Sequence, residues 1–138
     1  MKRQVSASQA SQQVSEKPTA RTRHFRDLLV WQKSMELART LYRETEGFPK
    51  SEVFGLRAQL RRAVVSIPSN IAEGHGRLSD GNMRLFLGQA RGSLFELETQ
   101  IELASGLNYL TTEVERELLE DCHEVGRMLN GLLAVLEH

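Results

Sequence analysis

From Phe25 to the C-terminus, apolar residues recur every three or four positions, which is the spacing of one face of an α-helix. Four such stretches follow one another, and glycine, proline and polar residues separate them. They predict helices over about residues 27–46, 51–74, 80–105 and 111–137. No segment with the two-residue period of a β-strand competes with this interpretation.

Four amphipathic helices joined by short connections predict an all-α, antiparallel up-down-up-down four-helix bundle. The apolar stripes expected to form its core are, helix by helix, Leu28, Trp31, Met35, Ala38, Leu41 and Tyr42; Leu56, Leu60, Ala63, Val64, Ile67 and Ile71; Met83, Phe86, Leu87, Ala90, Leu94, Leu97, Ile101 and Ala104; and Val114, Leu118, Cys122, Val125, Leu129, Leu132 and Leu136.

Residues at the helix ends predict where the first two helices stop and start. The sequence Gly47-Phe48-Pro49 is expected to end the first helix, because glycine suits a C-terminal cap and proline cannot continue the hydrogen-bond ladder. Ser51 then resembles an N-cap, and Glu52 places a negative charge in the first turn.

The later boundaries follow from similar signals. Pro68 lies inside the second helix, where it removes a hydrogen bond and predicts a kink or local opening near residues 64–66. Ser79 or Asp80 is expected to cap the third helix, and Gly106 to end it. Thr111 or Thr112 is expected to cap the fourth.

The first 24 residues differ from the rest of the chain, because they are rich in Gln, Ser, Ala and Thr and nearly lack large apolar side chains. Such a segment is expected to be disordered. Residues 1–26 carry six basic side chains against Glu16 alone, a net charge of +5. We therefore divide the chain into a disordered basic tail over residues 1–24 and one bundle over residues 25–138. The tail either contacts nucleic acid or is merely solvated.

Composition places the bundle among ordinary soluble proteins, since 40% of the 138 residues are hydrophobic and 26% are charged, with a net charge of zero. No apolar stretch approaches the roughly 20 residues of a membrane-spanning helix, and no secretory signal follows the N-terminus. We expect a cytoplasmic protein without membrane contact. Cys122 is the single cysteine and is expected to be a buried, unreactive thiol.

The motifs of common enzymes are missing. A di-iron bundle needs two Glu-x-x-His pairs, and only Glu120 with His123 has this spacing, because Glu73 and His75 lie two positions apart. The histidines lie in no recognisable nucleophile motif, and no glycine-rich phosphate loop is present. The sequence therefore favours a protein that is not an enzyme, with no metal and no cofactor.

Charge is distributed unevenly between the helices. Residues 50–77 have a net charge of +3, whereas residues 111–138 carry seven acidic side chains against Arg116 and Arg127. The basic residues of the first of these segments are Lys50, Arg57, Arg61, Arg62 and Arg77. A basic face can contact nucleic-acid phosphates, or it can pair with acidic helices of its own or a neighbouring subunit.

Polar residues also occur among the apolar positions of the second and third helices. They are Ser66, Asn70, Glu73, Ser93 and Glu96. Polar groups near a core must be hydrogen-bonded, so we expect a network between these two helices. Such a network either fixes the register of the two helices or contributes to a ligand site.

Four ordered motifs suggest a family. They are Phe25-x-x-Leu28-x-Val30-Trp31; Phe48-Pro49-x-x-Glu52-x-Phe54-Gly55-Leu56-x-x-Gln59-Leu60-Arg61-Arg62-Ala63; Ser66-Ile67-Pro68-Ser69-Asn70-Ile71-Ala72-Glu73-Gly74; and Ala90-Arg91-Gly92-Ser93-Leu94-x-Glu96-Leu97-Glu98. From about Phe25 onward the chain resembles the four-helix-bundle proteins encoded by 23S rRNA intervening sequences.

The resemblance implies a left-handed antiparallel bundle that assembles into a ring, with a homopentamer as the expected form. The chain is more distantly similar to the accessory variability-determinant proteins of diversity-generating retroelements. That similarity implies a pentamer that binds nucleic acid and a reverse transcriptase through basic surfaces. The biochemical role of the intervening-sequence proteins themselves is largely unassigned.

Three hypotheses about function follow. The leading one is a non-enzymatic homo-oligomeric binding module that contacts RNA or DNA. Its contact residues would be Arg57, Arg61, Arg62 and Arg77. The alternative is a protein-interaction scaffold whose charged faces pair between subunits, with no nucleic-acid role. A metal-dependent oxidoreductase bundle is the third.

Overall fold

The computed structural model describes residues 24–77 and 79–136. These residues form four α-helices, namely α1 (Leu29–Glu44), α2 (Leu56–His75), α3 (Asp80–Gly106) and α4 (Thr112–Val135). Two short 3-10 turns, Phe25–Asp27 and Lys50–Glu52, precede α1 and α2. No strand occurs in the described part of the chain, so the predicted all-α fold is confirmed. The tail predicted over residues 1–24 lies outside the described residues except for His24.

The helices pack in a closed cycle, in which each contacts its neighbours along the chain and α4 also contacts α1. Helices α2 and α3 make the most extensive contact and run in opposite directions. Ser66 faces Ser93, and Gln59, seven positions earlier, faces Gln100, seven positions later. Short connections between successive helices produce this antiparallel arrangement.

At each end of the bundle, a hydrogen bond joins residues that are far apart in the sequence. At one end, Tyr109 in the α3–α4 connection donates to Glu52 in the α1–α2 connection, over 3.1 Å. At the other end, Arg84 near the start of α3 donates to the backbone carbonyl of Leu136 at the end of α4, over 2.8 Å. No helix in the described ranges is long and apolar enough to cross a membrane.

The core contains most of the predicted apolar stripes, including Leu60, Ile67, Leu94 and Leu129, each 0% exposed. Phe86 and Val114 are only half-buried, and the first helix departs furthest from its prediction. Tyr42 is 41% exposed and Met35 and Trp31 are half-buried, whereas Val30 and Ser34 are buried instead. The buried face of this helix is therefore rotated about the helix axis relative to the predicted stripe.

The predicted boundary between the first two helices was wrong in detail. Helix α1 ends at Glu44, and Gly47 does not adopt the positive φ of a glycine cap. Helix α2 begins at Leu56 rather than at Ser51, and Gly55 takes the N-cap position. The Glu52 carboxylate caps α2 through its side chain, because its Oε1 accepts a 2.8 Å hydrogen bond from the Leu56 N–H.

The starts of α3 and α4 are as predicted. Ser79 caps α3 by accepting from the N–H of Asn82, and Thr111 caps α4 by accepting from the N–H of Val114.

Helix α3 ends within one residue of the predicted position, but Gly106 is its last helical residue and does not cap it. Asn108 instead adopts a φ of 65°. The N–H of Asn108 donates to the Ser105 carbonyl and the N–H of Tyr109 to the Ala104 carbonyl, both over 2.9 Å. This pattern is a Schellman cap, in which asparagine replaces the usual glycine.

Helix α2 continues through Pro68 from Leu56 to His75. The local opening predicted near residues 64–66 is therefore absent, since these residues are helical. Pro68 is buried.

Candidate functional site

Arg61 is held by contacts inside the chain. Its Nε donates to Thr45 Oγ1 and its NH2 to the Tyr42 carbonyl, each over 3.0 Å, and an ion pair of 3.3 Å joins it to Glu46. The guanidinium also lies 4.3 Å from the centre of the Tyr42 ring. It therefore fastens α2 to the C-terminal end of α1, where a cation is favourable and backbone carbonyls need partners.

The other three arginines of the predicted cluster lie apart. Arg77 forms a 3.2 Å ion pair with Glu73 and lies 4.5 Å above the Phe86 ring. Arg62 is exposed and Arg57 is half-buried, and within the described residues neither has an ion pair or hydrogen bond. Because five helical positions rotate by roughly 140°, Arg57 and Arg62 point in different directions. The structure thus does not bring the four arginines to one face.

A shallow, open depression of about 430 Å³ lies on the surface of α1. It adjoins the Tyr42 ring, over which the Arg61 guanidinium lies. It is lined by Met35, Ala38, Arg39, Tyr42 and Arg43. We call it the α1 groove.

The α1 groove combines positive charge with an aromatic ring. Arg39 and Arg43 lie one turn apart on α1 and are both exposed, and Arg61 stacks on Tyr42 between them and α2. In the described part of the chain, the one ion pair made by these three arginines joins Arg61 to the exposed Glu46. The groove therefore has a surplus of positive charge.

The sequence prediction missed Arg39 and Arg43. The signal was an arginine pair at positions i and i+4, adjacent to Tyr42. It was overlooked because Tyr42 was assigned to the core, and a core tyrosine does not contribute to a surface site. Arg43 also donates to Thr40 Oγ1 over 3.3 Å.

Three of the five predicted network residues lie together between α2 and α3. The Oγ atoms of Ser66 and Ser93 are 2.7 Å apart. The side-chain amide of Asn70 donates to Ser66 Oγ over 3.0 Å and to the Ser66 carbonyl over 2.9 Å. All three side chains are half-buried, so their hydrogen bonds offset the cost of leaving water.

The remaining two network residues lie elsewhere. Glu73 pairs with Arg77, and Glu96 accepts a 3.2 Å hydrogen bond from Gln100. Gln100 is 7% exposed and also donates to Gln59 over 3.4 Å, so it forms a second bridge between α2 and α3. Its Oε1 is buried without a partner in the described part of the protein. Both bridges fix the register of the two helices.

Two other residues considered for chemistry lie on α4. Cys122 is fully buried, and desolvation, with smaller contributions from Glu98 and Asp121, raises the pKa of its thiol far above the ordinary value. A thiol in this state does not form the reactive thiolate at neutral pH. Glu120 and His123 both lie exposed on the outer face of α4.

The model of the 23S rRNA-intervening sequence protein family matches residues 26–131, which include α1, α2 and α3 and most of α4. The chain belongs to this family. The family membership predicted from the four sequence motifs is therefore confirmed. The second motif spans the α1–α2 connection and the start of α2, the third lies on α2 and the fourth on α3. No curated protein matches the chain.

One solved structure has a similar fold. It is that of a protein of unknown function from the S23 ribosomal protein family of Bacteroides thetaiotaomicron. The two chains are 24% identical with a TM-score of 0.69, over 80% of this chain and 100% of the other. At this identity the similarity establishes the fold alone.

Proposed function

We propose that this member of the 23S rRNA-intervening sequence protein family is a cytoplasmic, non-enzymatic, homo-oligomeric binding module that contacts RNA or DNA through the α1 groove. The observation that carries the proposal is the grouping of Arg39, Arg43 and Arg61 around the half-exposed Tyr42. Relative to the prediction from sequence, the contact surface moves from α2 towards α1. Arg57 and Arg62 point in different directions, so we do not include them in this surface.

The chemistry of the groove suits a nucleic-acid backbone. Guanidinium groups bind phosphate oxygens in a bidentate geometry, and such contacts position a protein without reading sequence. Arg61 already has partners, so its role is to hold Tyr42 and to add positive charge. Arg39 and Arg43 are the residues expected to bind phosphates directly. Sequence preference should be slight, because the helices do not present a helix-turn-helix to the bases.

The test is the salt dependence of binding to a labelled single-stranded RNA and a labelled DNA duplex, measured by fluorescence anisotropy. Each phosphate contact on duplex DNA contributes a slope of about 0.9 in log K against log salt. The variant Arg39→Ala/Arg43→Ala should bind more weakly, with a slope reduced by about one to two units. The matched control is Arg116→Ala/Arg127→Ala, which removes the same charge from the exposed face of α4.

The basic tail needs its own control, because its arginines and lysines could supply nonspecific affinity. The measurements should be repeated on a chain that starts at Arg23. If binding disappears with the tail and is indifferent to Arg39 and Arg43, the groove is not the site. Equal losses in the groove variant and in the α4 control would show that only net charge matters, which also contradicts the proposal.

The second candidate is a protein-interaction scaffold, and the observation that favours it is the charge on α4. Exposed acidic residues there include Glu113, Glu117 and Glu120, opposite in sign to the α1 groove. Under this hypothesis the two surfaces pair between subunits, or the groove binds an acidic protein partner. A reverse transcriptase is the partner class that the more distant similarity implies. Oligomers that dissociate with salt, without nucleic-acid binding at low salt, would favour the scaffold.

A further inference from the structure

The residues that line the α1 groove fall into two rows. Met35, Ala38 and Tyr42 lie within roughly 60° of the helix circumference, on the side of α1 that Arg61 reaches from α2. Arg39 and Arg43 lie along the opposite edge, one turn apart and separated by roughly 6 Å along the helix axis. The groove therefore has an apolar row beside a cationic row.

The Tyr42 ring is held in place from one side. The Arg61 guanidinium lies 4.3 Å from the centre of the ring, and Arg61 is itself bound to Thr45 and Glu46. Among the described residues, no other aromatic ring packs against Tyr42. Tyr42 is 41% exposed and borders the groove, so part of its ring is open to a ligand there. A side chain that is already fixed loses little conformational freedom on binding.

A nucleotide matches both rows. Its base has a flat π-face that stacks on an aromatic side chain whatever the identity of the base. Its phosphate is an anion, which guanidinium groups bind with two parallel hydrogen bonds. The thioether of Met35 adds an apolar contact that is favourable beside an aromatic ring. Because the groove is shallow and open, it suits a base that stacks on its surface rather than a ligand that must be enclosed.

A base must be unpaired to reach Tyr42. In a duplex, each base is stacked between its neighbours and paired at its edge, and taking it out of the stack costs free energy. Proteins that flip a base out of a duplex receive it in a closely fitting pocket, whereas Tyr42 lies in an open groove. The bases of a single strand can turn towards the protein without this cost. A duplex would therefore contact Arg39 and Arg43 through its phosphates but gain nothing from Tyr42.

We propose that the α1 groove binds single-stranded nucleic acid in preference to a duplex, with one base stacked on Tyr42 and the adjoining phosphates bound by Arg39 and Arg43. This inference rests on the proposed nucleic-acid contact of the groove, and it adds the form of the nucleic acid and the role of the ring. Charge complementarity favours this ligand over an uncharged apolar one, because two exposed guanidinium groups lie beside the apolar row.

The first experiment compares a labelled oligothymidylate with a labelled blunt-ended DNA duplex of the same length, by fluorescence anisotropy on the full chain at one salt concentration. The wild type should bind the single strand more tightly. Tyr42→Leu should weaken single-strand binding about fivefold or more and leave duplex binding unchanged, because it removes the stacking of one base. Tyr42→Phe keeps the ring and should bind like the wild type. The basic tail is present in every chain, so its contribution cancels between variants.

Phe54→Leu is the matched control for Tyr42→Leu. Phe54 is 95% exposed in the α1–α2 connection, outside the groove, so this substitution also replaces an exposed ring by leucine. It should change neither affinity, and circular dichroism checks that all variants are folded. Equal losses in the two leucine variants would overturn the proposal. So would a wild type that binds the duplex as tightly as the single strand.

The arginine variant separates this inference from the proposed function. Suppose that Arg39→Ala/Arg43→Ala weakens binding to both nucleic acids while Tyr42→Leu changes neither affinity. The groove then contacts phosphates alone, and the stacking inference is wrong. If neither variant changes binding, the proposed function fails as well.

Photochemical cross-linking locates the base without any substitution. A single strand that contains 5-iodouracil forms a covalent bond on irradiation with an aromatic side chain that stacks on the modified base. Mass spectrometry of the digested wild-type protein should find the cross-link on Tyr42. Cross-links confined to other exposed rings, such as Phe54 or Phe95, would contradict the proposed position of the base.

Discussion

Helices α3 and α4 have similar buried faces but differ in the kind of residue that they expose. Each buries a continuous apolar stripe, represented by Leu97 at 0% exposure in α3 and Leu118 at 1% in α4. Each begins with a hydroxyl cap, from Ser79 or Thr111. The outer face of α4 exposes the charged or ionisable residues Glu113, Arg116, Glu117, Glu120, Asp121, His123 and Arg127, whereas α3 exposes the large apolar residues Leu85, Phe95 and Leu103.

This difference separates what folds the bundle from what the bundle binds. The inner stripes suffice to position both helices, because burying apolar surface is the dominant favourable contribution to folding. The charged side chains of α4 are of the kind that a solvent-exposed face carries. Leu85, Phe95 and Leu103 instead expose apolar surface on α3, and exposed apolar patches on a soluble protein usually mark an interaction surface when they are large.

The largest expected effect on stability is at two adjacent positions of α3, of which Leu94 is buried and Phe95 is exposed. Leu94→Asp should unfold the protein, because an unpaired carboxylate at a fully buried position costs several kcal/mol against a total stability of about 5–15 kcal/mol. Phe95→Asp, one position later, should leave the helix content unchanged. Thermal melts followed by circular dichroism compare them. A folded Leu94→Asp variant would mean that the inner face of α3 is wrongly assigned.

A smaller effect is expected at the contact between α2 and α3. A Cβ atom at Gly74 would lie 2.9 Å from Phe86 Cβ and 3.3 Å from the Met83 carbonyl oxygen. Gly74→Ala should therefore destabilise the protein by about 1–3 kcal/mol through overpacking. Gly76→Ala is the control, because its Cβ atom finds ordinary contacts of 3.6 Å. Urea unfolding measures both, and equal stabilities would show that the helices separate easily.

The helix caps should contribute about equally to α3 and α4. Ser79→Ala and Thr111→Ala each remove a side-chain acceptor for a backbone N–H in the first turn, at a cost of about 1 kcal/mol. Thr112→Ala serves as the control, because Thr112 is the first helical residue and not the cap. Chemical unfolding of the three variants is the measurement. A loss at Thr112 equal to that at Thr111 would contradict the cap assignment.

The smallest effect distinguishes Gly92, which is exposed on α3, from the buried Gly74. Gly92→Ala should stabilise an isolated subunit by about 0.5–1 kcal/mol, because alanine favours the helix and its Cβ atom meets nothing. Urea unfolding at low protein concentration measures the change. A Gly92→Ala variant less stable as a monomer would indicate an internal contact at this position.

Periodicity was sufficient to predict the fold, since four helices and most of the core follow from the spacing of residues such as Leu60 and Leu94. The helix ends that were predicted wrongly depend on distant contacts or on backbone geometry. The Glu52 carboxylate caps α2 and also accepts a hydrogen bond from Tyr109, which lies 57 residues away in the sequence. A contact between residues so far apart cannot be predicted from the local sequence pattern. The end of α3 depends on asparagine adopting a conformation that glycine adopts more often.

The candidate site was less predictable than the fold. Arg61 was chosen because it is basic, yet its bonds to Tyr42 and Thr45 exist only after α1 and α2 have packed. The α1 groove arises from the same packing, so Arg39 and Arg43 gain their significance from tertiary structure. The hydrogen bond between Ser66 and Ser93 could be predicted from the sequence, because both are polar residues among apolar neighbours.

The double hydrogen bond of Glu52 has a consequence for how the chain assembles during synthesis. One carboxylate oxygen caps α2, and the other accepts the Tyr109 hydroxyl, which also raises the pKa of that tyrosine. A ribosome releases Glu52 long before Tyr109 emerges. On the nascent chain, the Glu52 carboxylate therefore lacks the Tyr109 hydrogen bond that it has in the folded protein. The α1–α2 connection can adopt its final structure only after the α3–α4 connection has been synthesised, so the two loops at that end of the bundle complete their folding together.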